Sequence, residues 1–431
     1  MASDPTPYRL ADVARVTSGK RPPNSTKNAT KEAAIPIVGG GGVSGFTDRA
    51  LFDEPVLITG RVGTLGKLFA IDGPTWPSDN ALVVIADKGK VNSEFLRYAL
   101  QAVIFQAVGM NRGAANPLVT QTDLGELPIP HLSANAQKNV SNVLRAIDDR
   151  VDNLRETNAT LEAIAQALFK SWFVDFDPVR AKAEGREPEG MDPATAALFP
   201  SEFEDSELGP IPRGWSARPF GSLLSISIGG DWGAEYPDGE SSERVAIIRG
   251  TDIPDLHAQA DCRVPIRYTK PKKLVRRALA PGDLVVEVSG GSKDQPTGRS
   301  IYITEGVLSQ FDCPVVPASF CRKFSPATPQ VGVLLAQHMA YLYEAGKTWE
   351  YQNQSTGIAN FQTKHFLQAE RVMLPDGHVL AAFCELVGPI MWRRELSQAR
   401  RLANIRDTLL PRLISGKLRL PEAAAPTDAS S

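Results

Sequence analysis

SANAQKNVSNVLRAIDDRVDNLRETNATLEAIAQALFKSWF, residues 133–173, decides the fold, because it is a long segment without proline or glycine in a chain that has 33 prolines and 35 glycines. Apolar side chains recur through it at alternating spacings of four and three residues, which is typical of a coiled-coil seam. About forty residues at roughly 1.5 Å each predict a rod of about 60 Å. Such a rod needs a partner helix; an amphipathic helix lying on a domain core is the alternative.

The predicted seam has one polar member, Asn158. A buried asparagine at such a position costs stability and can fix the register of the pairing. A seam that is simply hydrated at Asn158 is the alternative, and the sequence leaves both open. The seam residues predicted in this helix are Val140, Leu144, Ile147, Val151, Leu154, Asn158, Leu161, Ala165 and Leu168.

The totals of the sequence set broad limits. A chain of 431 residues predicts two to four domains, and a net charge of −2 gives no global sign of nucleic-acid binding. The four cysteines have no CxxC spacing, so we expect neither a zinc site nor a disulfide framework. The start of the chain has no apolar signal region, and the apolar stretch at 379–391 is short and interrupted. We therefore expect a soluble cytoplasmic protein.

The two halves of the chain repeat each other in order. A single shared pattern of apolar residues and glycine would mean little, but a series of them predicts a tandem duplication. The matched segments are LADVARVTSG (10–19) with FGSLLSISIG (220–229), AIPIVGG (34–40) with VAIIRGT (245–251), EPVLITGRVGTLG (54–66) with GDLVVEVSGG (282–291), GAAN (113–116) with GIAN (357–360), and LEAIAQALF (161–169) with LANIRDTLL (402–410). Each copy is an α+β unit with a strand-rich front followed by a long helix.

The second long helix keeps the seam spacing at Leu402, Ile405, Leu409 and Leu413. Pro389, which follows Gly388, should kink this helix in its middle, and Pro411 should disturb its last turn. The acidic connector between the copies is long enough to run back along the first helix, which permits an antiparallel helix pair. The boundaries we expect are a strand-rich domain at 1–130, a helix at 131–176, the connector at 177–209, a strand-rich domain at 210–375, a helix at 376–418 and a disordered tail at 419–431.

No motif for catalysis is recognisable. The sequence has no Walker A motif, no HExxH, no GxSxG and no tetrapeptide of the amino-methyltransferase kind. GGGVSG at 40–45 fits GxGxxG literally, but no helix should follow it, so a glycine turn in a β domain is the interpretation. The five histidines have no carboxylate partner at ligand spacing, and we expect no metal site.

One local signal suits DNA. Residues 263–277 carry seven positive and no negative side chains, which favours phosphate contacts, although a solvated loop offset by acids elsewhere is the alternative. Polar runs at 112–116 and 351–354 offer groups that read base edges, or are turns. The candidate DNA contacts are Lys20, Arg21, Lys27, Arg61, Lys67, Arg112, Asn116, Arg249, Lys270, Lys272, Lys273, Arg276, Arg277, Arg299, Asn353, Gln354 and Asn360.

Several segments resemble one family. LEAIAQALFKSWFVDFDPVRAKAEG (161–185), LGPIPRGW (208–215) and LLPRLISGKLRL (409–420) resemble the central and C-terminal segments of type I restriction-modification specificity subunits. IPIVGGGGVSGFTD (35–48) and EPVLITGRVGTLG look like the front of their first target-recognition domain. IIRGTDI (247–253) and APGDLVVEVSGG (280–291) look like the front of the second.

The resemblance implies an α+β fold of two target-recognition domains and two long antiparallel coiled-coil helices, with pseudo-two-fold symmetry. Each domain would recognise half of a bipartite site in double-stranded DNA, and the helices would set the gap. Two modification subunits would use S-adenosylmethionine to methylate adenine at N6, and a restriction subunit would use ATP and Mg²⁺. This chain itself would hold no cofactor and no catalytic group. A coiled-coil scaffold that does not bind DNA is the alternative.

Overall fold

The computed structural model describes residues 6–109, 118–258, 264–290, 295–355, 358–392 and 395–420. The chain divides into two compact units. The first unit consists of residues 1–150 and 402–431, so it takes segments from both ends of the sequence, and the second consists of residues 151–401. In the described ranges, each helix is too short or too polar to cross a lipid bilayer.

The first unit holds a four-stranded antiparallel sheet in the order β2-β8-β5-β6 and a three-stranded sheet in the order β4-β3-β7, in which β3 and β7 are parallel. Short β1 pairs with β9. The strands are β1 (Tyr8–Arg9), β2 (Ala14–Ser18), β3 (Ile35–Gly39), β4 (Gly42–Thr47), β5 (Val56–Gly60), β6 (Leu68–Ile71), β7 (Trp76–Pro77), β8 (Ala81–Ala86) and β9 (Pro128–Ile129). The helices are α1 (Leu10–Val13), α2 (Ser93–Gly109), α3 (Gln121–Gly125) and α4 (Ala134–Lys170), which continues into the second unit.

The second unit begins with the connector and then builds its own sheets. Its helices are α5 (Asp177–Ala183), α6 (Pro193–Ala197), α7 (Ile253–Ala258), α8 (Pro271–Arg277), α9 (Glu305–Leu308), α10 (Pro329–Glu344), α11 (Thr363–Ala369) and α12 (Gly377–Met391); α13 (Glu395–Ile414) leads back into the first unit. Its strands are β10 (Phe203–Glu204), β11 (Ile211–Pro212), β12 (Ser216–Pro219), β13 (Leu224–Gly229), β14 (Glu243–Ile248), β15 (Ile266–Thr269), β16 (Leu284–Glu287), β17 (Ser289–Gly290), β18 (Ser300–Tyr302), β19 (Val315–Pro317), β20 (Cys321–Pro326), β21 (Gln352–Ser355), β22 (Ile358–Phe361) and β23 (Arg371–Leu374).

The two units share one topology. The second unit has a four-stranded sheet in the order β13-β20-β16-β18 and a three-stranded sheet in the order β15-β14-β19, with β14 and β19 parallel. Strand by strand this repeats the first unit, and the short pair β12-β23 repeats β1-β9. The tandem duplication predicted from the sequence is therefore confirmed.

A β-bulge shifts the correspondence between the copies by one residue. The β13-β20 ladder slips between Leu224 and Ile226, so the partner of Gly19 in the repeat is Gly230 and not Gly229. Both glycines face a backbone carbonyl: a Cβ at Gly19 would lie 2.1 Å from the oxygen of Ser78, and one at Gly230 would lie 2.0 Å from that of Ala318. Only glycine fits where the chain passes so close to its neighbour.

The predicted glycine turn is also present. GGGVSG connects β3 to β4, and Gly39 pairs with Gly42, whose φ of 106° lies in the region that favours glycine. This segment is therefore a β-hairpin and does not open a helix, which excludes the dinucleotide-binding geometry that its spacing imitates.

The long predicted helix is confirmed. α4 has 37 residues and continues as one π-helical turn, Ser171–Asp175. Aromatic side chains fix its end in the core of the second unit: Trp172 packs edge-on to Phe199, and Phe173 packs edge-on to Phe383, each at 4.8 Å between centroids. Phe176 then takes a left-handed conformation, φ 57°, which ends the helix before α5.

Within the first unit, α4 and α13 lie antiparallel. Asp148 of α4 contacts Arg406 of α13. Leu132, just before α4, lies beside Gly416, just after α13, where an added Cβ would meet the leucine side chain. Residue numbers therefore rise along one helix as they fall along the other. Val140 and Leu144 share a buried core with Leu410, Leu413 and Ile414. The pairing is the antiparallel coiled coil that the seam predicted.

The structure corrects the seam register of the second helix at Ile405, whose side chain is 49% exposed. Ala399, Leu410 and Leu413 are buried, Leu402 and Leu409 are half-buried, and Arg406 takes the inward place that Ile405 was expected to fill. The spacing rule counted apolar residues only, whereas the seam here contains a charged pair. Two helices, α12 and α13, stand where one kinked helix was expected, and Pro389 lies inside α12.

In α4, the predicted seam is buried at Val140, Leu144, Val151, Leu154, Asn158 and Ala165, and half-buried at Ile147, Leu161 and Leu168. Asn158 is buried, and among the described residues nothing hydrogen-bonds to its Oδ1. The connector does not run back along α4. Val179 and Phe199 are buried in the core of the second unit with Trp215, because the connector's apolar side chains fold onto that core.

Candidate nucleic-acid interface

A loop crosses the three-stranded sheet in the same place in both units. In the first unit, residues 19–34 leave β2, hydrogen-bond with β7 through the indole of Trp76 and the carbonyl of Lys20, and bridge β4 at Thr26. In the second unit, residues 230–242 leave β13, bond to β19 and bridge β15 at Ala234. We call these segments the crossing loops.

The crossing loop of the first unit is basic. Lys20, Arg21 and Lys27 are exposed on it. Lys67 is exposed and Arg61 is half-buried around the connection from β5 to β6. Within the described ranges, none of these five side chains forms an ion pair, so their charges are available to an anionic partner.

The crossing loop of the second unit is acidic, and it pairs with the basic segment after β15. Lys273 Nζ lies 2.7 Å from Asp231 Oδ1, Lys270 pairs with Glu240, and Arg277 Nε donates to the carbonyl of Gly229 at 2.9 Å. These three cations fasten α8 to the loop. The opposite face of α8 carries Lys272 and Arg276, which are exposed and make no ion pair in the described part of the chain.

The pKa shifts agree with this pairing. Burial alone would raise the pKa of Asp231, but hydrogen bonds from Lys273 and Thr269 lower it overall. The hydrogen bond to Glu240 raises the pKa of Lys270, and the carboxylate charge adds to the effect. Both shifts favour the charged forms of Asp231 and Lys270, which supports the attachment of α8 to the crossing loop.

Two candidates are held by intramolecular contacts. Arg249 Nη2 lies 2.6 Å from Asp252 Oδ1 in a cap of the following helical turn. Arg299 donates to the carbonyl of Gly250 at 3.3 Å and to the hydroxyl of Tyr343 at 3.3 Å. Both side chains therefore have structural roles. The partners of Arg299 lie 49 and 44 positions away, so the charge pattern of the sequence did not predict its role, whereas Asp252 lies three positions from Arg249 and was visible as a possible partner.

Burial raises the pKa of Glu287, and the positive charge of Arg299 lowers it in part. Arg299 therefore also compensates a buried carboxyl group inside the unit. This further ties its guanidinium to the interior and away from a surface ligand.

The amide candidates of the second unit lie on the hairpin β21-β22. Asn353 and Asn360 are cross-strand partners, both side chains are exposed, and Asn360 Oδ1 accepts a hydrogen bond from the Ser289 hydroxyl at 2.5 Å. Arg112, Asn116 and the side chain of Gln354 lie outside the described residues. In the ladder, Leu118 of the first unit and not Asn116 corresponds to Asn360, because the pairs Val62–Leu118 and Ser289–Asn360 are equivalent.

Comparison with known proteins shows which proteins the chain resembles. Residues 3–163 match the model of the type I restriction modification DNA specificity domain. The chain is 26% identical over 363 residues to the specificity subunit of the type I restriction enzyme HindI from Haemophilus influenzae. The match covers 73% of this chain and 74% of that protein. The chain is thus similar to specificity subunits of type I restriction-modification enzymes.

Two further specificity subunits resemble the chain along nearly its whole length. The MjaIX specificity subunit of Methanocaldococcus jannaschii is 23% identical over 97% of this chain and 87% of its own. The crystal structure of the type I restriction-modification S subunit from M. genitalium has the same fold, with a TM-score of 0.53 at 15% identity over 96% of this chain and 97% of that one.

Proposed function

We propose that this chain is a specificity subunit that binds a bipartite site in double-stranded DNA, one half through each unit. The observation that carries the proposal is that each unit has exposed cations at its crossing loop that form no ion pair among the described residues: Lys20, Arg21 and Lys27 on the first loop itself, and Lys272 and Arg276 on the helix fastened to the second loop. Because both sets occupy one region of a duplicated topology, each copy offers a phosphate-binding surface of its own.

The two surfaces differ in how they are built. In the first unit the crossing loop itself carries the positive charge. In the second unit the crossing loop is acidic and neutralises the inward face of α8, so the exposed cations stand on the helix. The two units therefore present different side chains, which suits the recognition of two different half-sites.

The chemistry of modification then comes from partners. The chain is proposed to assemble with two modification subunits, which bind S-adenosylmethionine and extrude the target adenine, and with restriction subunits that use ATP and Mg²⁺. The helix segments 131–176 and 376–418 serve as the spacer between recognition domains at 1–130 and 210–375, with a connector at 177–209 and a tail at 419–431. The working location of such a complex is the cytoplasm, where the DNA is.

The test is a salt titration of binding. The chain, purified with its modification subunits, is titrated onto a duplex that carries the methylated motif and onto a scrambled duplex of equal length. We expect tighter binding to the motif at every salt concentration, and a fall in affinity for both duplexes as salt rises. Equal affinity for the two duplexes contradicts the proposal and favours a scaffold that does not recognise DNA.

A further inference from the structure

The outward face of α8 presents an apolar side chain between its two free cations. Lys272, Val275 and Arg276 are three and four positions apart, so they share one face of the helix. Val275 is 84% exposed, more than any other large apolar side chain in the described residues. We propose that Val275 contacts the C5-methyl group of a thymine in the half-site bound by the second unit.

The helix is held firmly enough to read a base. Lys270, Lys273 and Arg277 fasten its inward face to the crossing loop and to the end of β13, and Thr269 adds a hydrogen bond to Asp231 at 2.6 Å. A rigid helix places its outward side chains at fixed positions, which direct readout of bases requires.

The chemistry of the face fits the major groove. Thymine is the one natural base whose major-groove edge carries a methyl group, and apolar side chains are its usual contacts. Two unpaired cations beside Val275 match the phosphates that border the groove. A protein partner would bury an apolar patch of several side chains, whereas here a single valine stands between positive charges.

The residue type supports a contact role. Valine has a lower helix propensity than alanine, and an exposed apolar side chain gains nothing from the solvent around it. Val275 therefore does not stabilise α8 in the free chain. Replacing it with alanine should leave the fold intact, so the contact can be tested without unfolding the unit.

This inference rests on the proposed function, and uracil tests it separately. In the complex with modification subunits, each thymine of the motif is replaced in turn by deoxyuridine, which removes the methyl group alone. Affinity is measured for each duplex. We expect one replacement, in the half-site of the second unit, to weaken binding about fourfold, the effect of one lost methyl contact. The Val275→Ala complex should bind the thymine duplex more weakly and be insensitive at that position.

Two controls separate the contributions. Leu208→Ala, which changes another exposed side chain on the connector, should keep full sensitivity to the same replacement. Lys272→Ala should weaken binding to motif and scrambled duplexes alike and also keep that sensitivity, since it removes a phosphate contact.

The outcomes are distinguishable. If the wild-type complex prefers the motif but tolerates uracil throughout that half-site, or if Val275→Ala remains sensitive, the thymine contact is overturned and the proposed function stands. If Val275→Ala instead loses its modification subunits, the face binds protein and the inference is overturned. Equal binding to motif and scrambled DNA overturns both.

Discussion

The carboxylate of Asp148 lies 2.7 Å from the guanidinium of Arg406, although 258 positions separate the two residues in the chain. The same carboxylate accepts a hydrogen bond from the hydroxyl of Tyr98 at 2.7 Å, and Arg97 lies 3.6 Å away. Asp148 thus joins both long helices to α2 of the first unit. Burial alone would lower the pKa of Arg406, but its bonds with Asp148 and Asp407 raise it.

We predict that Asp148→Ala destabilises the first unit by about 2 to 3 kcal/mol, because it leaves the hydroxyl of buried Tyr98 without its acceptor and Arg406 with Asp407 alone. Chemical unfolding measures the change. The neighbouring Asp149→Ala is the matched control: its pair with Arg145 is exposed on both sides, and the expected loss is below about 0.5 kcal/mol. Equal effects of the two substitutions would show that the contact with Arg406 contributes nothing.

Adjacent glycines give a second comparison. Gly230→Ala should cost about 3 kcal/mol or prevent folding of the second unit, since its Cβ would stand 2.0 Å from the carbonyl oxygen of Ala318 and the backbone must move. Gly229→Ala should have little effect, because no atom lies within 4 Å of the added carbon. Thermal unfolding of both variants measures the difference. A harmless Gly230→Ala would mean that the close approach of the two segments is wrong.

Acid should weaken one buried contact of the second unit. Burial alone would raise the pKa of Glu370, but hydrogen bonds from His338 and Tyr351, at 2.7 and 2.6 Å, lower it below its usual 4.5. A carboxylate with a lowered pKa stabilises the fold above the unfolded pKa, and this contribution is lost as pH falls through the lower folded value.

We therefore predict that Glu370→Gln costs about 2 kcal/mol at pH 7, and that this cost shrinks as pH falls below 4.5 and through the lowered pKa of the folded carboxyl group, because the wild-type group then becomes protonated as well. Urea unfolding across this pH range tests the prediction. A difference that stays constant from pH 7 to pH 3 would contradict it.

The free cations of α8 should appear in the salt dependence of DNA binding. Lys272→Ala combined with Arg276→Ala should reduce the slope of log affinity against log salt by about 2, since two phosphate contacts are lost. Arg213→Ala, four positions after the connector, is the control: this cation is paired with Glu202 of the connector, and its loss should leave the slope unchanged. An equal slope for the wild-type complex, the double variant and Arg213→Ala would show that DNA does not contact Lys272 and Arg276.

Local patterns predicted the elements well, and distant partners explain what they missed. The spacing in 133–173 predicted α4, and matched segments predicted the shared topology, because both depend on residues near one another in sequence. The inward place of Arg406 was missed, since its acceptor lies on the other helix. The division of α8 into a fastened and a free face was missed for the same reason: its acids lie on the crossing loop, 42 positions before Lys273 in the case of Asp231. The signal available in the sequence was that the basic run at 263–277 comes after an acidic loop at 230–242.

We propose that each unit recognises one half of a DNA site and that the helices α4 and α13 set the distance between the halves. Sequencing N6-methyladenine in cells that carry the chain, that lack it, or that carry it with one heptad inserted in both helices tests this most directly. The account predicts a motif of two fixed halves around a constant gap, its disappearance without the chain, and the same halves around a longer gap after the insertion. Methylation that persists without the chain, or a gap that the insertion leaves unchanged, would contradict it.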